Sequence, residues 1–192
     1  MNIQKNQIFT VKITDMGTDG EGIGHLEDSD ALSGNGYTLF VKDAVLGDTV
    51  RAKVVKPKKG YAFARLEEVL EPSPDRVEPV CAYARQCGGC QLQAVSYEKQ
   101  LEFKQDEVYN HIKRIGGLVD FETLPILGSE EQYFYRNKME FSFSNARWLT
   151  FDEVSSGEDF GDKNALGFHI PGMWSKILDL KECWLQEEPS DS

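Results

Sequence analysis

Val50-Arg-Ala-Lys-Val-Val-Lys-Pro-Lys-Lys-Gly-Tyr-Ala-Phe-Ala-Arg-Leu66 is the stretch on which the fold turns. Val50, Ala52 and Val54 alternate with polar or exposed positions, Pro57-Lys-Lys-Gly60 supplies a turn, and Tyr61 opens a further run that reaches Val69. Alternation of this kind on both sides of a Gly- and Pro-marked turn predicts two paired strands. Upstream, Ile8, Val11 and Ile13 alternate imperfectly, Ile23 to Leu26 follows a Gly-rich turn, and Tyr37-Thr-Leu-Phe-Val41 is β-prone beyond a polar loop at 28–36. Five short strands at about ten-residue spacing point to a small closed barrel of the OB type.

The same stretch carries charge. The chain of 192 residues has a formal net charge of −11, which by itself opposes binding to polyanions. Residues 15–48 hold eight acids against Lys42, and residues 150–192 hold ten against Lys163, Lys176 and Lys181. Between Thr49 and Leu66, however, Arg51, Lys53, Lys56, Lys58, Lys59 and Arg65 occur with no acid, which marks one basic surface on an acidic protein. Tyr61 and Phe63 alternate with Ala62 and Ala64, so both rings fall on one face of their strand, either outward as stacking platforms beside the lysines or inward as barrel core.

Gly20-Glu-Gly-Ile-Gly24 has the look of a dinucleotide or S-adenosylmethionine loop. Such a loop opens a helix after a buried strand, whereas Leu-Glu-Asp-Ser-Asp follows here, so the run is read as a turn.

Three prolines in Glu71-Pro-Ser-Pro-Asp-Arg-Val-Glu-Pro79 predict an extended linker, giving a barrel over 1–71, a linker over 72–80 and a second domain over 81–192. That domain opens on Cys81-Ala-Tyr-Ala-Arg-Gln-Cys87-Gly-Gly-Cys90; Cys183 lies far downstream. Ser96 can cap a helix with Tyr97, Leu101, Val108, Ile112 and Ile115 on its apolar side, closed by Gly116-Gly117. Strands then follow near Met139–Phe143, Trp148–Phe151, Ala165–Ile170 and Ile177–Leu180, with an acidic turn at 155–163. The overall class is mainly β, α+β, with a five-stranded OB-like barrel ahead of a small α+β domain.

No basic, then apolar, leader and no run of eighteen apolar residues occurs, so the expected compartment is the cytosol, without a membrane partner. Thiols there stay reduced, which favours metal ligation by the four cysteines over disulfides. Three ligands on one loop and a distant fourth is an iron–sulfur pattern, and Gly88-Gly89 lets backbone approach a bulky cluster. A structural zinc site remains the alternative, although it ordinarily arrives as two closely spaced pairs. His25, His111 and His169 have no motif that makes a cysteine nucleophilic, and each is read as an ordinary histidine.

Taken in order, these pieces resemble a known family. Asp19-Gly-Glu-Gly-Ile-Gly24, Phe40-Val-Lys-Asp-Ala-Val-Leu-Gly-Asp48 and Lys56 to Leu66 resemble a TRAM domain. Pro72 to Cys81, Cys87-Gly-Gly-Cys-Gln-Leu-Gln93, Tyr97-Glu-Lys-Gln-Leu101, Lys104 and Tyr135-Arg-Asn-Lys138 resemble the iron–sulfur RNA (uracil-5-)methyltransferases. The resemblance implies a [4Fe–4S] cluster on Cys81, Cys87, Cys90 and Cys183, and a barrel that holds structured RNA, tRNA or rRNA. From the residues, Lys53, Lys56, Lys58, Lys59, Tyr61, Phe63 and Arg65 are the candidate contacts, with Arg136 and Lys138 at a strand start lining the RNA cleft that the resemblance implies. In that family a thiolate attacks C6 of a flipped uridine, S-adenosylmethionine methylates C5 and a carboxylate removes the proton. All three functions belong to a carboxy-terminal Rossmann-like domain, so these residues are expected to be a monomeric, non-catalytic amino-terminal portion. A free-standing iron–sulfur electron carrier or metal sensor is the alternative.

Overall fold

The computed structural model describes residues 3–27 and 36–187. They divide into two compact units, one formed by the chain up to Glu78 together with Ala94–Gly128, the other by Pro79–Gln93 with the residues from Ser129 onward.

The first unit is built on β1 (Ile8–Met16), β2 (Gly22–Leu26), β3 (Tyr37–Lys42), β4 (Thr49–Pro57) and β5 (Tyr61–Glu71). They close into a barrel in the order β1-β2-β3-β5-β4, with β3 and β5 parallel and the remaining pairs antiparallel. Alternation decides what lies inside: Val11, Ile13, Leu39, Val41, Val50, Ala52, Val54, Ala62 and Ala64 are all buried. Close packing also explains the glycine run. A Cβ on Gly24 would lie 2.5 Å from Val11 Cγ2 and 2.7 Å from the Lys12 carbonyl oxygen, so Gly24 allows β1 and β2 to approach. The run is a turn and a strand of the barrel, as its sequence context predicts.

The 72–80 segment is more than an extended linker. Asp48 is fully buried, and its carboxylate accepts hydrogen bonds from the Val45 amide at 2.7 Å and the Ser73 amide at 2.9 Å. Arg76 closes on the same group, with Nη2 donating to Oδ2 at 2.6 Å and Nε within 3.1 Å of both oxygens, and also donates to the Asp43 carbonyl. The chain returns to this point, since Val77 donates to the Ala94 carbonyl and Ser96 to that of Asp75. Residues 94–128 therefore group with the barrel, although the sequence places them after the boundary.

They include α1 (Tyr97–Asn110), which runs on through a π-helical turn at His111–Ile115 to Gly116. The helix buries no side chain, and Val108 and Ile115 of its expected apolar side are exposed. Ser96 stands at its N-cap but makes no side-chain capping bond. Gln105 holds the following segment, donating to the Leu124 carbonyl and accepting from the Ile126 amide.

The second unit carries β6 (Ser142–Ser144), β7 (Arg147–Trp148), β8 (Ala165–Ile170) and β9 (Met173–Asp179) in the order β6-β8-β9-β7. The expected strand from Met139 shrinks to β6, and the chain past Trp148 turns instead into α2 (Phe151–Ser156). Thr150 and Glu153 form a reciprocal capping box there, and Gly157 ends the helix in the left-handed region at φ 69°. Arg147 holds Glu153 in an ion pair, fixing the helix start to the sheet.

The Asp48 cluster generates a pH prediction. Burial alone would raise its carboxyl, but the hydrogen bond from Arg76, the two amides and the Arg76 charge outweigh it and hold the group below its ordinary value. A carboxyl lowered in the fold contributes stability that is present above its unfolded pKa and is lost as pH falls through the folded value. Asp48→Asn should cost about 3 kcal/mol in urea unfolding at neutral pH, because it leaves a mostly buried guanidinium without its counter-charge. The variant should also flatten the loss of stability below about pH 4.

Candidate functional site

Two sites are built from the residues singled out by sequence, one in each unit. The first is the outer face of β3, β5 and β4. Ala62 and Ala64 are buried inside the barrel, so Tyr61, Phe63 and Arg65 emerge together on its surface. The inward alternative for the two rings is thereby excluded. Register carries the pattern sideways: Phe63 lies opposite Phe40 of β3 and Lys56 of β4, while Arg65 lies opposite Lys42 and Lys53. A cationic row runs across all three strands beside an aromatic row on β3 and β5 that ends at Lys56 of β4.

The rings form a cluster. Phe40 lies 5.8 Å from Tyr61 and 5.6 Å from Phe63, and Tyr61 lies 5.7 Å from Phe63, two of the three pairs edge-on. Tyr61 and Phe63 nevertheless stay 37% and 42% exposed, which leaves ring surface for a ligand. The turn bearing Lys58 and Lys59 is fastened by Tyr37, whose hydroxyl donates to the Lys58 and Tyr61 carbonyls at 2.7 and 2.6 Å. Not every cation is free: Arg65 pairs with Glu67 at 2.7 Å and Arg51 with Glu68 at 2.9 Å. These pairs are exposed and worth little, so a phosphate can compete for either cation. Phe40 and Lys42 were not among the residues singled out by sequence. The signal was available, since buried Leu39 and Val41 force their neighbours outward.

The second site is a cavity of about 700 Å³ in the second unit, lined by Cys81, Cys87, Cys90 and Cys183 together. The loop winds through the Tyr83 carbonyl, which accepts from the Gln86 and Cys87 amides, and the Gly89 amide donates to Cys87 Sγ at 3.3 Å. A Cβ on Gly88 would lie 2.9 Å from Pro171 Cγ, so a larger residue would push the loop off the β8–β9 turn. None of the four cysteines forms a disulfide. Among the described residues, no group of three or more His, Cys, Asp or Glu converges to hold a single metal ion.

Burial pushes the Cys87 thiol up to about 11, and it raises Cys81 and Cys90 as well. The thiols also raise one another, through Cys90 and Cys183 acting on Cys81 and Cys183 acting on Cys90, while Arg136 and a Gln93 hydrogen bond oppose the shift at Cys90. Without a bound cation the loop thiols stay protonated at neutral pH; a metal would favour their thiolates. Arg136 and Lys138 line this cavity, but not at a strand start as the sequence implies. They lie in irregular chain pinned to the segment after Cys183, with Phe134 donating to the Trp184 carbonyl at 2.9 Å and Arg136 to that of Leu185 at 2.8 Å. His169 and Trp174 of the same lining were not singled out as site residues by the sequence analysis.

Residues 4–66 match the TRAM domain family. The chain is 43% identical over 157 residues to an uncharacterized RNA methyltransferase of Bacteroides thetaiotaomicron, covering 82% of this chain and 35% of that protein. It is 40% identical over 184 residues to another of Porphyromonas gingivalis, covering 94% and 38%. Over the matched span the chain is similar to proteins named RNA methyltransferases. It spans about a third of the length of the curated relatives it matches. Among solved structures, it resembles the Pyrococcus abyssi tRNA (uracil-54, C5)-methyltransferase in complex with S-adenosyl-L-homocysteine. The TM-score is 0.52 at 25% identity, over 95% of this chain and 34% of that one. No helix among the described residues is long and apolar enough to cross a membrane.

The thiol environment makes a measurable difference. In metal-free protein Cys87 should alkylate about 100-fold more slowly than an ordinary cysteine at pH 8, since a thiol raised by two pH units has that much less thiolate. Peptide-resolved mass spectrometry after timed iodoacetamide treatment reads this rate, and labelling of Cys87 at the ordinary rate would contradict the burial described.

Proposed function

We propose that this chain is the RNA-binding, cluster-carrying part of an S-adenosylmethionine-dependent RNA (uracil-5-)methyltransferase that acts on tRNA or rRNA in the cytosol, as a monomer. The observation that carries the reading is the barrel face, where Phe40, Tyr61 and Phe63 stand in one cluster beside the row Lys42, Arg65 and Lys53. Every base offers a π-face to such rings, and each stacked base is worth about 1–3 kcal/mol. Lys56, Lys58 and Lys59 extend the cationic strip to the β4–β5 turn, where phosphates would be neutralised. The methyl-transfer machinery would fall in the part of the relatives' length that this chain does not span.

The second unit would hold a [4Fe–4S] cluster through Cys81, Cys87, Cys90 and Cys183. The donor set fits, being four cysteines around one cavity with the Gly88-Gly89 backbone beside it. A cubane takes one thiolate per iron, so donors distributed around a cavity suit it, whereas zinc requires convergence on one point. When bound, the cluster would supply four metal–thiolate bonds that tie the 81–90 loop to the segment at Cys183. Iron and zinc analysis of anaerobically prepared protein separates the two metals. About four irons per chain with a broad absorption band near 400 nm is the expected result. Cys183→Ser should lose the cluster and lower the unfolding temperature.

RNA binding is tested with a uridine-containing hairpin. Phe40→Ala combined with Phe63→Ala should weaken binding by at least about tenfold. Lys53→Gln and Lys56→Gln should each reduce the slope of log K against log salt by roughly one while leaving sequence preference unchanged. Wild-type binding without salt dependence would overturn the reading.

A further inference from the structure

The cysteine cavity is lined by more than its thiols. Trp174, at the start of β9 just past the Pro171-Gly172 turn, is 80% exposed although it is one of only three tryptophans in the chain. The ring surface is therefore open to a ligand. Among the described residues its ring partner is His169, with centroids 5.2 Å apart and the planes tilted by 56°, and most of the indole stays open to solvent. His169 is oriented in turn by Ser142, whose Oγ stands 3.3 Å from Nε2, while its Nδ1 is buried without a hydrogen-bond partner.

Charge around the ring narrows the class of occupant. Arg136 and Lys138 line the same cavity, together with the Gln93 amide. Lys138 pairs with the exposed Glu140 at 2.9 Å, and Arg136 Nε donates to the Lys138 carbonyl at 3.2 Å, while among the described residues no carboxylate lies within ion-pair distance of Arg136. A solvent-open indole beside an imidazole, a side-chain amide and two cations without a buried carboxylate partner form a set suited to an aromatic ring with polar edges joined to an anion. An aliphatic surface would leave the polar groups and the cations unsatisfied, and an acidic one would pair with the cations but offer no ring to the indole.

We propose that Trp174 and His169, with Arg136 and Lys138, form a second nucleotide-binding site that stacks an unpaired base of an RNA strand and neutralises its adjoining phosphate. The site rests on the RNA-binding reading given above, but it lies in the second unit and is independent of the barrel rings. It requires a single-stranded stretch, because a base inside a duplex has both faces covered by its neighbours. It also assigns Arg136 and Lys138 a specific role at the cavity mouth.

The test uses a fluorescently labelled short oligouridine and the same strand annealed to its complement, with binding read by anisotropy and by quenching of tryptophan emission. The single strand should quench Trp174 and bind more tightly than the duplex. Trp174→Ala should weaken its binding roughly tenfold, and Trp174→Tyr should restore most of the affinity. In the Phe40→Ala/Phe63→Ala barrel variant, quenching should persist at higher RNA concentration. If the barrel variant abolishes binding while Trp174→Ala binds like the wild type, RNA binding stands and this site is refuted. If the duplex or heparin quenches as strongly as the single strand, the rim is only an electrostatic surface and the proposal falls. If no protein binds the strand, both this site and the RNA-binding reading fail.

Discussion

Because β5 gives Ala62 and Ala64 to a barrel closed by only five strands, Tyr61, Phe63 and Arg65 have no inward place to go. The interior is filled by Leu39, Val41, Val50, Val54 and the small Ala52, Ala62 and Ala64, and a ring turned inward at 61 or 63 would require opening the barrel. Closure therefore does two things at once. It seals the core, and it displays on β3, β5 and β4 whatever the alternate positions contain. What they contain is an aromatic row and a basic row in register, so the proposed binding face follows from a packing constraint.

The second unit is governed by a different balance. Its buried apolar residues are few, Ala165, Ile177, Leu178 and Leu185 among them, while Phe143 and Trp174 are more than three-quarters exposed. A core of that size contributes modestly, and small domains of this kind commonly depend on a metal or on a partner surface. Cys183 is buried next to this core, and the other three thiols line the same cavity. A metal group bridging them would add covalent ties where apolar burial is thin, whether or not it also took part in electron transfer.

The barrel was legible in the sequence because strand period, Gly- and Pro-marked turns and a basic hairpin all pointed the same way. What was misjudged depended on contacts distant in sequence. Nothing around Pro72–Pro79 announces that Arg76 will find a buried carboxylate 28 positions earlier, so the prolines show an extended linker and not its fastening to the barrel. The helix after Ser96 was found by its period, but the period also assigned it an apolar side that the structure leaves exposed at Val108 and Ile115. α2 was a different kind of miss. Thr150-Phe-Asp-Glu153 is a capping box written plainly in the sequence, and it was passed over because Trp148 and Phe151 suggested a strand. At the cysteines, spacing identified the four thiols that line one cavity; it could not supply Trp174, whose importance comes from exposure rather than from a motif.

The acidic balance of the chain looks hostile to RNA, and distance resolves the conflict. At physiological salt, exposed charges separated by more than about 8 Å are largely screened, so a bound strand responds to the charges it touches and much less to the total of −11. On the barrel face those charges are Lys42, Lys53, Lys56 and Arg65, with Glu67 and Glu68 as local competitors. Both acids are already engaged, and Glu67 is held below its ordinary range chiefly by its hydrogen bond to Arg65. A phosphate arriving at Arg65 must displace that carboxylate, which tempers affinity. Remote acids repel the polyanion as a whole, whereas the local rows attract one short stretch of it. The combination disfavours indiscriminate coating by nucleic acid and favours a strand that can place an unpaired base on the rings, where stacking adds what the diluted electrostatics do not.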